Sequence, residues 1–293
     1  METHDHDHDH DHDHDHDHDH DHDHDHDLAR RATGNGAVSD SAAVSARQVS
    51  IELGGQTIWS EGTFDLPAGG VYAIIGPNGS GKTTMLRALL GLLPVASGEL
   101  TVLGQRPSQG DRRIGYVPQH YVETVGHAVR CRDLVRLSAS GTRWGLRVRS
   151  SEVAAVDDAL RAVDATSFAG RRISQLSGGQ QQRAAIAQAI VDEPKLLLLD
   201  EPLANLDLRN QQEIVELLDD LRTARGVTII VVTHDLNPLL PILSGAVYLL
   251  DGHAHYGAIG DVVESELLTH LYGTGVQVVR TAQGDLFTRS IRR

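Results

Sequence analysis

Gly76-Pro77-Asn78-Gly79-Ser80-Gly81-Lys82-Thr83 constrains this chain more than any other stretch. It follows the short apolar run Val71–Ile75 and leads into Thr83–Leu93, where Leu86, Leu89, Leu90 and Leu93 recur at helical spacing. Strand, glycine-rich loop and helix in that order commit the chain to a βα unit with a phosphate-binding turn. The spacing is G-x-x-x-x-G-K-[ST]. Its glycines let backbone N–H groups close around phosphate oxygens, and the helix start adds its positive end. Residues Gly76 to Thr84 are therefore expected to hold a nucleotide. Lys82 is expected to reach the β- and γ-phosphates, and the Thr83 hydroxyl to ligate Mg²⁺.

The rest of the body continues the pattern. Lys195–Leu199 and Val227–Thr233 are unbroken apolar runs, as in strands covered on both faces. Leu208–Arg225 between them is helical, with Ile214, Leu217, Leu218 and Leu221 on one side. Strand, helix, strand is a crossover unit, so the class is α/β with a mostly parallel sheet. Residues 120–175 contain no comparable strand. Ser151–Val163 is amphipathic with Ser150 or Ser151 as cap, so this stretch is expected to be a helical insert, about 120–178. Val247–Asp251 and Val276–Thr288 read as further short strands.

Residues 1–46 are expected to be a disordered tail and linker, with the folded domain spanning 47–293. The net charge of −14 comes from this tail. Asp fills every odd position from Asp5 to Asp27, and with Glu2 these supply −13, leaving about −1 for everything else. A nearly neutral body gives no electrostatic argument for nucleic acid as a partner. Cys131 is the sole cysteine, so no intrachain disulfide can form and a reducing compartment fits. No stretch reads as a secretion signal or is long enough to span a bilayer. Membrane association is expected only through a partner.

Two carboxylates follow the run Leu196–Leu199. Asp200, at the end of a buried strand, can hold Mg²⁺ from the side opposite Thr83. Glu201 is placed to polarise an attacking water as general base. Leu176-Ser177-Gly178-Gly179-Gln180 is a second Gly-rich turn at a helix start, and reads as a second anion nest.

With this pentapeptide the chain resembles the ATP-binding cassette (ABC) family from about Arg47 onward. Gln119, after Tyr116-Val117-Pro118, matches that family's Q-loop glutamine. Leu203-Ala204-Asn205-Leu206-Asp207 matches the D-loop, and His234, after the Val227–Thr233 run, the switch histidine. The resemblance implies a P-loop NTPase (RecA-like) core with an antiparallel β subdomain beside the helical insert. It implies that Ser177, Gly178, Gly179 and Gln180 grip the γ-phosphate bound to another protomer, with Asp207 at that interface. A homodimer would then sandwich two ATP molecules. His234 would orient water and γ-phosphate, and Gln119 would contact Mg²⁺ and pass motion to the helical insert. One departure stands out. The family's adenine-stacking aromatic is replaced by Leu53, counting from Gly54-Gly55, while Trp59 is expected to pack in the core. Weak base selectivity is expected.

The tail carries a chemistry of its own. Histidines fill the even positions: His4, His6, His8, His10, His12, His14, His16, His18, His20, His22, His24 and His26. Imidazole suits Zn²⁺, Ni²⁺ and Cu²⁺, so loose binding of several Zn²⁺ ions is expected, with a solvated tail or an added tag as the alternatives.

Arg132-Asp133-Leu134-Val135 and Glu266-Leu267-Leu268-Thr269-His270-Leu271-Tyr272-Gly273 resemble ATPases of bacterial zinc/manganese importers. The resemblance implies an ATPase on the cytoplasmic face of a bacterial membrane. It would dock on an integral permease through about Tyr121–Leu137, and be served indirectly by an extracytoplasmic metal-binding protein. Zinc is the expected cargo. Nickel, cobalt, manganese, an iron chelate or an organic solute are alternatives, as is an ABC ATPase acting without a membrane. That last reading lacks support here, because neither sustained heptads nor a second cassette is present.

Overall fold

The computed structural model describes residues 42–119, 128–140, 150–273, 275–280 and 286–290. The expected disordered tail, its histidines and parts of the helical insert and docking stretch lie outside the described residues.

Folded structure begins earlier than residue 47. Strand β1 (Ala42–Leu53) buries Ala43, Val44 and Ala46. These small side chains look like linker composition, yet Val44 and Ala46 join the hydrophobic core from a strand held on both sides. β1 pairs antiparallel with β2 (Gln56–Pro67) and with β4 (Ser97–Val102). β3 (Val71–Ile75) lies between them in sequence and is wholly buried.

Helix α1 (Lys82–Leu89) follows the glycine loop. It stops short of Leu93 because Gly91 takes a left-handed conformation (φ 67). The turn closes with Gly91 N–H donating to Ala88 O (3.0 Å) and Leu92 N–H to Arg87 O (2.8 Å), which satisfies carbonyls the helix end leaves open.

β5 (Ile114–Val117) leads to the helical region: α2 (Cys131–Ser140), α3 (Ser150–Ala162) and α4 (Gly178–Ile190). β6 (Leu196–Asp200), α5 (Leu208–Arg225) and β7 (Thr228–Val232) form the crossover unit, with both strands fully buried. Removing a side chain there, such as Leu198→Ala, would cost about 2–5 kcal/mol. The chain then runs through β8 (Gly245–Leu250), β9 (His253–Ala258), α6 (Ile259–Val262) and α7 (Ser265–Tyr272). It finishes with a separate antiparallel pair, β10 (Val276–Arg280) and β11 (Leu286–Ser290).

The main sheet has the order β4-β1-β2-β9-β8-β3-β7-β6-β5. Strands β8, β3, β7, β6 and β5 run parallel, and antiparallel pairing is confined to the β4-β1-β2 side and the β8–β9 hairpin. The α/β class, the mostly parallel core, the antiparallel β region and the helical region are all as expected. The consequence for function is directional. β3, β7, β6 and β5 are neighbours pointing the same way, so the segments leaving their C-terminal ends gather on one edge, where open α/β sheets bind ligands. Among the described residues no helix is long and apolar enough to cross a membrane.

Candidate functional site

Each strand of that parallel set delivers one part of the site. β3 ends at Ile75 and releases the glycine loop, and β6 ends in Asp200 with Glu201 beyond it. β7 is followed by Thr233 and His234, and β5 by Pro118 and Gln119. The register aligns Ile74, Val232 and Asp200 in one row across three strands.

The loop packs against β2 and the β8–β9 turn. Gly81, the N-cap of α1, is left-handed (φ 97), and an added Cβ there would run into Ile58 and lie 3.1 Å from Trp59 Cδ1. Trp59 is 2% exposed, the core position expected of it. A cleft of about 280 Å³ opens here, lined by Ile58, Trp59, Asn78, Gly79, Ser80, Leu249 and Asp251 among others. Ser80 Oγ is buried without a hydrogen-bond partner. Leu53 is 47% exposed and offers no ring for stacking.

The Lys82 ammonium bridges the loop, donating to Gly76 O (2.8 Å) and Pro77 O (2.9 Å). Burial lowers its pKa below the ordinary lysine value, and the charges of Glu201 and Asp200 act against that shift. The two carboxylates and the loop lysine thus belong to one electrostatic cluster. Asp200 is 6% exposed, a buried carboxylate at a strand end beside a cation. Such placement is expensive without a cationic partner.

Glu201 and His234 come together directly. His234 Nδ1 lies 2.8 Å from Glu201 Oε2, the Glu201 side chain being 13% exposed and that of His234 69%. A carboxylate only accepts, so Nδ1 is the donor in this contact. Glu201 sits at φ 51, unusual for a residue other than glycine, and its N–H donates to Val232 O (3.0 Å). Thr233 and Asp235 shape the turn that carries His234, with Thr233 Oγ1 donating to Asp235 O (2.9 Å).

The donors fit Mg²⁺, which favours hard oxygen ligands: the Thr83 hydroxyl, the buried Asp200 carboxylate and the Gln119 side-chain carbonyl. Gln119 lies exposed just past β5, on the same sheet edge. When bound, the ion neutralises charge on the β- and γ-phosphate oxygens.

The second Gly-rich turn is built around a capping box. Ser177 Oγ accepts from Gln180 N–H (3.3 Å), and Gln180 Oε1 accepts from Ser177 N–H (3.1 Å). The N–H groups of Gly178 and Gly179 are the remaining orphan donors of α4's first turn. Helix α4 opens at Gly178, two residues before Gln180.

Sequence reasoning missed Asn210. Its backbone N–H donates to Asp207 Oδ1 (2.8 Å) and its Nδ2 to Asp207 Oδ2 (2.8 Å), making Asp207 the cap of α5 and lowering its pKa. The Asn210 amide also fills the space a Cβ on Gly179 would need, and Leu206 packs 3.3 Å from where one on Gly178 would lie. The structure therefore brings Asp207 to the Ser177–Gln180 turn. The signal in the sequence was Asp207 three residues before Asn210, a capping pattern ahead of a helical run.

Comparison with known proteins gives the family. Residues 60–204 match the family model described as ABC transporter. The chain is 39% identical over 221 residues to the zinc transport system ATP-binding protein TroB of Treponema pallidum, covering 75% of this chain and 83% of that protein. It is 35% identical over 213 residues to the manganese transport system ATP-binding protein MntB of Bacillus subtilis, covering 72% and 84%. A solved structure described as an inward-facing metal-chelate type ABC transporter superposes with a TM-score of 0.73 at 30% identity, covering 85% of this chain and 97% of that one. The chain belongs to the ABC transporter family, as an ATP-binding subunit and an ATPase.

Proposed function

We propose that this chain hydrolyses Mg²⁺–ATP as one half of a nucleotide-sandwiching homodimer, and that it powers a membrane permease importing a metal ion, with zinc as the cargo. The contact between His234 and Glu201, beside Lys82, carries the catalytic reading. Lys82 exchanges the loop carbonyls of Gly76 and Pro77 for phosphate oxygens when nucleotide arrives. Glu201 takes up proton density from the attacking water, and His234, held against that carboxylate, orients the water and the γ-phosphate. Residues Ser177–Gln180 of a second copy present the Gly178 and Gly179 N–H groups to the same phosphate.

The importer reading is supported by the likeness to zinc, manganese and metal-chelate transport ATPases. Zinc is favoured over manganese by the twelve tail histidines, which would chelate incoming ions or sense them beside the pore. Their affinity should fall below the imidazole pKa near about 6.5. Helix α2, with Leu137 61% exposed, is the described part of the permease-docking stretch, and the subunit would sit peripherally on the cytoplasmic face. An extracytoplasmic metal-binding protein would deliver the ion to the permease.

Metal content of cells lacking the gene, scanned across ions, tests the cargo. A fall in zinc alone is expected, and unchanged zinc with altered manganese or nickel overturns the choice. Titration of full-length against tail-deleted protein tests the tail, and equal Zn²⁺ uptake by both removes it as a chelator.

A further inference from the structure

The separate C-terminal pair β10–β11 is fastened to the turn that carries His234. The fastener is Asn237, three residues after that histidine. Its Nδ2 donates to Thr288 O (3.0 Å). Its Oδ1 accepts from Thr288 N–H (2.7 Å) and from Thr288 Oγ1 (2.9 Å). One side-chain amide thus takes up both backbone groups of Thr288 on the outer edge of β11. It stands where a residue of a third strand would stand, since Val278 of β10 faces Thr288 on the inner side. Asn237 is itself held: its N–H donates to Asp235 Oδ1 (3.0 Å), and Leu236 beside it is 1% exposed. The hairpin is anchored at its other end too, where Thr269 of α7 exchanges hydrogen bonds with Val276 (2.9 and 3.3 Å).

His234 itself is 69% exposed at the side chain, so little packing fixes it. The nearest three-point attachment in its turn is the one through Asn237. We infer that Asn237 is a positioning residue for hydrolysis: through Thr288 it braces the C-terminal hairpin against the His234 turn, and the brace sets the placement of His234 against Glu201. The inference rests on the catalytic reading of His234 and Glu201 given above. Neither Asn237 nor the hairpin belongs to the glycine loop, so the brace should govern the chemical step and leave nucleotide binding alone.

Steady-state turnover of the purified full-length protein with Mg²⁺–ATP tests this. Asn237→Ala should lower kcat by about tenfold or more with KM for ATP nearly unchanged, the pattern of a misplaced group that acts in the transition state. Removal of residues 274–293 should lower kcat equally, and combining the two changes should lower it no further. Thr288→Val, which removes only the hydroxyl bond, should give an intermediate fall. Unchanged kcat in Asn237→Ala, or losses that multiply when combined, overturn the brace. So does a parallel loss of ATP affinity, which a general structural role would produce. If Asn237→Ala fails to fold, Thr288→Val decides alone, and unchanged kcat in that variant overturns the inference. His234→Ala separates the two readings. Full turnover there sinks the catalytic assignment and the brace with it, whereas lost turnover there beside full turnover in Asn237→Ala sinks only the brace.

Discussion

His234 Nδ1 lies 2.8 Å from Glu201 Oε2, joining the residues that follow two neighbouring parallel strands. β7 and β6 are in register up to Val232 and Asp200, so the residues just past them are brought within reach by the sheet itself. His234→Ala should lower turnover by about a hundredfold or more, in the range expected for losing a group that serves acid–base chemistry. Nucleotide affinity should stay close to the parent value, because Lys82 and the glycine loop are untouched. Phosphate release and a binding isotherm measured on the same variant check both halves. Full turnover would mean the contact is idle.

Gly179 and Asn210 make a second testable pair. An added methyl at Gly179 would collide with the Asn210 amide, so Gly179→Ala should destabilise the fold by about 1–3 kcal/mol, the usual cost of overpacking. Adding Asn210→Ala should return most of that loss in a melting experiment. ATP-dependent dimerisation should remain impaired in the double variant, because the methyl still crowds the first-turn N–H groups that face phosphate. Full recovery of dimerisation would make Gly179 a packing glycine and nothing more.

The pH dependence of stability should carry a mark of His255. Its ring stacks on Tyr248 (5.1 Å) and lies near His253 (6.1 Å). Burial pushes its pKa below the ordinary 6.5, with His253 adding to the shift and Asp251 opposing it. The folded form thus resists a proton that the unfolded chain accepts. The contribution is intact above 6.5 and is lost as pH falls through the lower folded value. Melting temperature should therefore drop as pH falls from 6.5 toward the lower folded value, and drop less in His255→Phe. An identical slope in the two proteins would assign the acid sensitivity elsewhere.

Leu53 bears on base choice. It is 47% exposed and aliphatic at the position where a stacking ring was sought. Affinities for ATP and GTP should be similar in the parent chain, and Leu53→Tyr should tighten ATP binding by about fivefold to tenfold, a stacking gain of about 1–1.5 kcal/mol. A strong preference for ATP in the parent would show that the cleft beside Trp59 selects the base without a stacked ring.

Much of this was legible in the sequence, for physical reasons that differ by element. Lys195–Leu199 and Val227–Thr233 were readable because a strand covered on both faces must be apolar throughout, and both are wholly buried. The loop, Asp200 and Glu201 stood out by residue type and spacing, His234 only through the family resemblance, and the structure sets Glu201 and His234 side by side. What escaped were contacts between segments far apart in the chain. Nothing local says that Asn237 meets Thr288, 51 positions away, or that Asn210 fills the space over Gly179. The start of the folded domain was set five residues too late because alanines in a strand look like linker until their partners are known. The helix after the loop was drawn too long because leucine spacing outlasts the helix, which Gly91 ends.

The central claim is that the glycine loop is half a site, completed by Ser177–Gln180 of a second copy. Glu201→Gln keeps the shape of the side chain and removes the carboxylate proposed to activate water. Its oligomeric state at saturating Mg²⁺–ATP, measured by light scattering on a sizing column, tests the claim most directly. The expected result is a stable dimer holding two unhydrolysed ATP molecules, dissociating when nucleotide is withdrawn. A variant that binds ATP and remains monomeric would contradict it.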